Sequence, residues 1–226
     1  MKQKITKTIG AILLVISCMR MTYVALGILN GASISVDNLI NIGILVVAPC
    51  ILGGILFVVG TKEEEKKKRI VTFIKIALYI TYILLLACLM LLGNRHDLYS
   101  SYSYWEYLKY NSNFVPFATI IEYLNHYKNN TINMNIIFEN LVGNLMLFMP
   151  MGVFLPCLYV KRRTWKGFLS YLILIIFLIE AIQSVTRAGA FDVDDFILNI
   201  TGACIVFAIV KTKMSTNFLK RIYFYS

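Results

Sequence analysis

Six long apolar segments run through this chain, and they constrain its fold more than any other feature. A helix needs roughly 20 apolar residues to cross the hydrocarbon core of a bilayer, and each segment is close to that length. They are Ile9–Leu29, Leu39–Val59, Ile70–Leu92, Ile136–Val160, Trp165–Val185 and Val193–Val210. Because 58% of the residues are hydrophobic and only 15% are charged, an ordinary soluble domain is excluded. The sequence predicts an all-α, polytopic transmembrane bundle of about six helices.

The basic residues divide unequally between the two sides of such a bundle. With the N-terminus inside, 16 lysines and arginines lie on the cytoplasmic side and 4 on the outer side, and Arg20 and Lys75 within segments complete the 22 of the chain. The positive-inside rule therefore predicts a multi-pass protein of the bacterial cell membrane with both termini cytoplasmic. The net charge of +10 then reflects anchoring beside anionic lipids, and no nucleic-acid partner is predicted. The charged run Lys62–Arg69 is interpreted as a solvated cytoplasmic turn.

Polar residues collect at the ends of three predicted helices that this topology brings to the outer surface. They are Asn140 and Asn144 on the fourth helix, Glu180, Gln183 and Arg187 on the fifth, and Asp192, Asp194, Asp195 and Asn199 on the sixth. Their spacing places the residues of each helix on one face or stripe. Because a carboxylate exposed to lipid costs roughly 2.5 kcal/mol or more, we expect the set to face the bundle or a wet cavity. The set is a candidate ligand-binding site.

A purely structural role for these residues is the alternative. Arg187 could pair with Glu180 or Asp195 and join two helices. The aspartates could form a simple N-cap, since carboxylates are favoured at a helix N-terminus. Three separate helices contribute polar groups at one depth, however, and this favours a binding site.

The connection between the third and fourth segments carries two features of its own. Aromatic residues concentrate between Tyr99 and Tyr110, as is typical of a membrane interface. From Pro116 the pattern predicts an amphipathic helix with the proline in its first turn, lying on the outer leaflet. Its apolar stripe comprises Phe117, Ile120, Ile121 and Leu124. Further on, Pro150 and Pro156 predict a kink in the fourth helix.

No established catalytic or metal-binding motif is present. The five cysteines all fall within predicted spans and show no metal or redox spacing. The chain has no phosphate-binding glycine loop, nucleophile elbow or zinc-binding helix motif. The sequence thus predicts no cofactor and assigns neither catalytic residues nor metal ligands.

Four blocks of sequence resemble the VanZ-like family of bacterial membrane proteins. They are Asn113–Ile120, Asn140–Gly152, the residues Glu180, Gln183 and Arg187, and Phe191–Gly202. The resemblance covers residues 70–210, which it marks as a VanZ-like four-helix membrane domain. Residues 1–69 are then an addition of two transmembrane helices and a cytoplasmic loop, and residues 211–226 are a cytoplasmic tail.

The resemblance implies a function in the cell envelope. The family takes its name from a protein linked to low-level resistance to teicoplanin, a lipid-tailed glycopeptide. We therefore expect membrane lipids as partners, together with a lipid-linked envelope molecule or a lipid-tailed antibiotic, and a lowered susceptibility to teicoplanin-like drugs. Two alternatives are a metal-dependent enzyme that processes lipid phosphates and a cation-coupled transporter.

Overall fold

The structure is a computed structural model that describes residues 2–29, 45–46, 48–92, 103–187, 189 and 191–225. The predicted all-α class is confirmed, since these residues are mostly helical and include no strand. The helices are α1 (Lys2–Leu29), α2 (Ala48–Val59), α3 (Glu64–Leu92), α4 (Tyr104–Asn111), α5 (Ala118–Lys128), α6 (Met134–Leu147), α7 (Met151–Leu158), α8 (Trp165–Thr186), α9 (Val193–Val210) and α10 (Lys213–Arg221).

Several helical stretches have the length and composition of membrane spans. Among the described residues there are five, namely Gln3–Val24, Glu64–Ala87, Met134–Leu158, Trp165–Thr186 and Val193–Val210. The 12-residue helix α2 is apolar but shorter. The predicted second span begins outside the described residues, because residues 39–44 are not among them, and neither are residues 99–102 of the predicted aromatic stretch. The other predicted spans each have a helical counterpart.

The charged run before the third span is mostly helical, so its interpretation as a solvated turn was wrong. Helix α3 begins at Glu64, and the non-helical connection is limited to residues 60–63. Glu63, Glu64 and Glu65 each accept a hydrogen bond from the lysine three residues later, at 2.7 to 3.0 Å. Carboxylates in the first helical turn also interact favourably with the helix dipole. These local interactions extend α3 beyond its apolar part.

The chain divides into two compact units, Met1–Cys88 with Phe218–Ser226 and Leu89–Asn217. In the first unit, α1 and α2 pack antiparallel with their backbones in contact. A Cβ atom on Gly10 would lie only 2.6 Å from the Phe57 nitrogen and 2.7 Å from the Gly53 oxygen. The Ser17 hydroxyl donates to the Val46 carbonyl at 2.6 Å. Glycine at such contacts allows membrane helices to approach closely.

In the second unit, the predicted kink at Pro150 is a full break between α6 and α7. Residues 148–150 form a turn, and α7 starts at Met151 with Pro156 inside it. Proline lacks the N–H that would continue the helix and its ring clashes with the preceding turn. The Met149 N–H bonds instead to the Met146 carbonyl at 3.2 Å, which satisfies the carbonyl that Pro150 leaves free.

The core of the second unit is apolar and close-packed around α7, α8 and α9. Phe168 and Phe207 are fully buried and stack with ring centroids 4.0 Å apart. Gly202 on α9 faces α6 so closely that a Cβ atom would lie 1.7 Å from the Leu145 oxygen. Gly152 on α7 approaches α9 in the same way, 2.6 Å from the Ala203 oxygen. These contacts hold the middle of α9 against α6 and α7.

The sequence predicted that Pro116 lies in the first turn of α5. The helix begins two residues later, so that part of the prediction was wrong. Pro116 and Phe117 form a turn, and the helix starts at Ala118. Phe117 has a left-handed backbone with φ of 66° and provides no side-chain cap. The predicted apolar stripe is largely open, since Phe117, Ile121 and Leu124 are 54%, 53% and 49% exposed. An exposed apolar face is the property that an interfacial helix requires.

Candidate functional site

The site is built where the segment before α5 meets the start of α9. Asn113 and Asp192 form a parallel bridge, in which the Asn113 N–H donates to the Phe191 carbonyl at 2.8 Å and the Val193 N–H donates to the Asn113 carbonyl at 3.0 Å. The Asn113 side-chain amide also donates to Asp192 Oδ1 at 3.0 Å, and the Thr119 hydroxyl donates to Asp192 Oδ2 at 2.6 Å. Two distant blocks of sequence are thereby joined.

Asp194 caps the N-terminus of α5 from another helix. Its carboxylate accepts the backbone N–H groups of Phe117 at 2.5 Å, Thr119 at 2.9 Å and Ile120 at 3.2 Å. The first N–H groups of a helix have no partner within the helix, and Phe117 provides none. A carboxylate at that position is also favoured by the helix dipole. With 1% of its surface exposed, Asp194 uses both oxygens to hold α5 in place.

Asp195 points to a different neighbour because consecutive helical residues project about 100° apart. Its Oδ1 atom accepts a hydrogen bond from the Asn144 amide on α6. The Glu180 carboxyl group on α8 is 2% exposed and interacts electrostatically with Asp195 and Asp192. Tyr123 on α5 also belongs to this group, since partial burial and the charges of Asp195 and Asp192 raise the pKa of its phenol. Four helices thus contribute to one polar cluster.

Asn199 lies one turn deeper than Asp195 on the same face of α9. Its side chain is completely buried, and neither its amide nitrogen nor its oxygen has a hydrogen-bond partner among the described residues. Buried polar atoms are nearly always paired. An unpaired amide beside buried carboxylates is therefore the feature of this cluster that most needs an explanation.

Three of the predicted site residues make other contacts. The Gln183 amide donates to the Met90 carbonyl at 2.7 Å and so joins α8 to the end of α3. The Arg187 guanidinium lies over the rings of Tyr104 and Tyr107, 5.9 and 5.6 Å from their centroids. Asn140 is exposed and donates to the Ile136 carbonyl of its own helix at 2.8 Å. Of the predicted residues, the polar cluster therefore comprises Asn144, Glu180, Asp192, Asp194, Asp195 and Asn199, and Tyr123 joins them.

Sequence reasoning missed Asn113, Thr119 and Tyr123. Asn113 and Thr119 lie in a block that carries the family resemblance, and both side chains are suited to hydrogen bonding in a turn before a helix. That turn signal could have identified them. Tyr123 gives no comparable signal, because an aromatic residue in an amphipathic helix is ordinarily an interfacial anchor.

The chemistry available to the cluster is that of buried oxygen acceptors. Its ionisable side chains are Glu180, Asp192, Asp194 and Asp195 with the phenol of Tyr123, and the described residues include no lysine or arginine in ion-pair contact with these carboxylates. Among the described residues, no group of three or more histidine, cysteine, aspartate or glutamate side chains is arranged to hold a metal ion. The cluster is thus suited to a ligand that donates hydrogen bonds or carries positive charge.

Comparison with known proteins places these features in a family. The sequence model of the VanZ/LLP1 family matches residues 79–214, which include α4 to α9 and every residue of the polar cluster. No curated protein and no solved structure matches the chain. The predicted domain limits at residues 70 and 210 stay predictions. The match covers more than half of the sequence, and with the long apolar helices it makes this chain a multi-pass membrane protein of the VanZ/LLP1 family.

Proposed function

We propose that the protein binds the polar part of a lipid-linked or lipid-tailed molecule at the outer leaflet, and thereby lowers susceptibility to teicoplanin-like glycopeptides. The observation that carries this proposal is Glu180, a carboxyl group that is 2% exposed and lies close enough to Asp195 and Asp192 to interact with them electrostatically. Ionising a carboxyl group that is buried beside other acidic groups is costly. A ligand that pairs with Glu180 would remove that cost.

The surroundings of the cluster support a lipid-attached ligand. Helix α5 is fixed to the cluster by Asp194, and its apolar residues Phe117, Ile121 and Leu124 are about half exposed. A molecule with an acyl chain beside this helix could place its polar group against Asp195 and Glu180. Each buried methylene of such a chain contributes about 0.8 kcal/mol, so modest interference at this surface would change the membrane residence of a tailed drug.

The proposed outer location of the polar cluster rests on the distribution of basic residues. The opposite end of the second unit carries Lys161, Arg162, Arg163 and Lys166 in one connection and Lys211 and Lys213 in the next. The positive-inside rule assigns these connections to the cytoplasm. The cluster, at the other ends of α6, α8 and α9, then faces outward, where glycopeptides act.

Drug susceptibility of cells that overproduce the protein tests this function. We expect a larger loss of susceptibility to teicoplanin than to vancomycin, which has no lipid tail. Glu180→Gln and Asp195→Asn should abolish the difference because each replaces an acceptor oxygen of the cluster with an amide that cannot become negatively charged. The matched control is Glu122→Gln, which neutralises a carboxylate on α5 whose side chain is 71% exposed and should leave the difference intact.

Two results would count against the proposal. Equal shifts for both drugs would indicate altered wall precursors and contradict a mechanism based on the tail. A difference that persists in Glu180→Gln and Asp195→Asn, with both variants produced at the normal level, would show that the polar cluster is not involved.

A further inference from the structure

The hydrogen-bonding capacity of the polar cluster is unbalanced. Asp192 and Asp194 are occupied, since their four oxygens accept backbone N–H groups, the Asn113 amide and the Thr119 hydroxyl. Asp195 is half occupied, with Oδ1 bonded to Asn144. Among the described residues the Asn199 oxygen has no donor, and Glu180 adds two further acceptor oxygens at 2% exposure. The cluster therefore has acceptors in excess, and a ligand that fits it must bring several donors.

Asn199 provides an observation independent of the carboxylates. It is neutral, completely buried and unpaired at both polar atoms. Helical side chains lean toward the helix N-terminus, so Asn199 on α9 leans toward the turn that carries Asp195. A ligand group that reaches the cluster would complete the hydrogen bonding of this amide, which repulsion among carboxylates does not explain.

The charge of the cluster narrows the class of ligand. Glu180 and Asp195 are carboxyl groups in a buried setting, and the described residues include no basic side chain in ion-pair contact with either. Each can become charged there only if a positive group compensates it. A phosphate or sulfate placed directly against these oxygens would bring further acceptors and negative charge instead of donors. A neutral hydroxyl would supply one donor without compensating the charge. A primary ammonium group supplies three donors and a positive charge at a single point.

We propose that this cluster binds a primary ammonium group, held between Glu180 and Asp195 with Asn199 below. The inference rests on the proposed function and specifies the ligand of the same site. A lipid headgroup and a free amine share this chemistry. The half-exposed apolar residues of α5 favour the lipid as the source, because they provide a surface for the attached chain.

The proposed ammonium site can be tested on the unmodified protein by comparing lipids. Methylating the nitrogen three times keeps the positive charge but removes every N–H donor. We therefore expect the purified full-length protein to bind short-chain phosphatidylethanolamine at least about tenfold more tightly than the matching phosphatidylcholine, because buried acceptors left without donors cost affinity. Native mass spectrometry and ligand-induced change in Tm are the readouts. Short-chain phosphatidylglycerol controls for acyl-chain binding, and free ethanolamine tests whether the chain is required.

Variants assign the binding to the cluster. Glu180→Gln and Asp195→Asn should each weaken binding of phosphatidylethanolamine by about tenfold or more, since each removes a carboxylate that could pair with the ammonium group. Glu122→Gln, on the exposed side of α5, should bind normally. The Tm of each ligand-free variant shows whether it is folded.

Each outcome has a defined meaning. Equal binding of the ethanolamine and choline lipids overturns the inference, and so does normal binding by both cluster variants. Tight binding of free ethanolamine would support the ammonium site and assign its source to a soluble amine. If no amine binds while Glu180→Gln still abolishes the teicoplanin-specific shift, the ammonium inference fails and the proposed function stands.

Discussion

Asp194 and Asp195 are adjacent and chemically identical, yet their surroundings give them different tasks. Asp194 has both oxygens occupied by backbone N–H groups at the start of α5, and it is 1% exposed. Asp195 has one oxygen bonded to Asn144 and shares its environment with Glu180. The difference follows from the helical projection angle, which directs the first toward α5 and the second toward α6. A carboxylate whose two oxygens both accept hydrogen bonds holds a helix in place, whereas one with a single oxygen occupied can still accept a hydrogen bond from a ligand.

We expect Asp194→Asn to release the start of α5. An asparagine side chain has one acceptor oxygen in place of two, and its NH₂ group would face backbone N–H donors. The hydrogen bonds that the backbone N–H groups of Thr119 and Ile120 donate to residue 194 are therefore weakened. Hydrogen bonds to charged groups contribute about 1.5 to 3 kcal/mol each. Hydrogen exchange should show faster exchange at the amides of Phe117, Thr119 and Ile120. Asp195→Asn is the matched control, and unchanged protection in Asp194→Asn would contradict the assigned role.

At the scale of helices, two glycines on the facing helices α9 and α6 differ in how closely they are packed. Gly202 leaves no room for a side chain beside the Leu145 carbonyl. Gly143 on the facing helix α6 has no atom within 4 Å of the position a Cβ would take. The same substitution at these two positions therefore separates the effect of packing from the effect of helix propensity.

We predict that Gly202→Ala destabilises the protein by about 1 to 3 kcal/mol or more, because overpacking forces α9 away from α6. Gly143→Ala should be neutral or stabilising by up to about 1 kcal/mol, since alanine is the better helix former. Thermal unfolding in detergent measures both. A similar Tm for the two variants would show that the α6–α9 contact is not tight.

The sequence predicted long apolar helices well and local irregularities poorly. The bounds of α8 and α9 agree with the apolar segments to within one residue, because Thr164 and Asp192 cap their starts and the apolar runs end at polar residues. The start of α5 was misplaced because its cap comes from Asp194, 75 residues away, and the spacing along a chain carries no such information. The cluster of Asp195, Asn144 and Glu180 was predictable, since each is a polar residue within an apolar span and such residues avoid lipid.

For the whole molecule, the predicted orientation is open to a direct test. Single cysteines can be introduced at Glu65 and Glu122, whose side chains are 74% and 71% exposed, in a background without the native cysteines. An impermeant thiol reagent applied to intact cells should label position 122 and leave position 65 unlabelled, because the basic residues assign the start of α3 to the cytoplasm. Permeabilised cells provide the control. The reverse pattern would place the polar cluster on the cytoplasmic side.

The cap on α5 also has a consequence for the order in which the protein is assembled. The segment that receives the cap leaves the ribosome before α6, α7 and α8, and Asp194 follows Thr119 by 75 residues. At roughly 5 to 20 residues per second, that separation is about 4 to 15 s of synthesis. During this interval the first N–H groups of α5 have no carboxylate to accept them. The last span of the family domain is thus also the element that completes a helix made well before it, and a nascent chain that stops short of α9 leaves that helix unanchored.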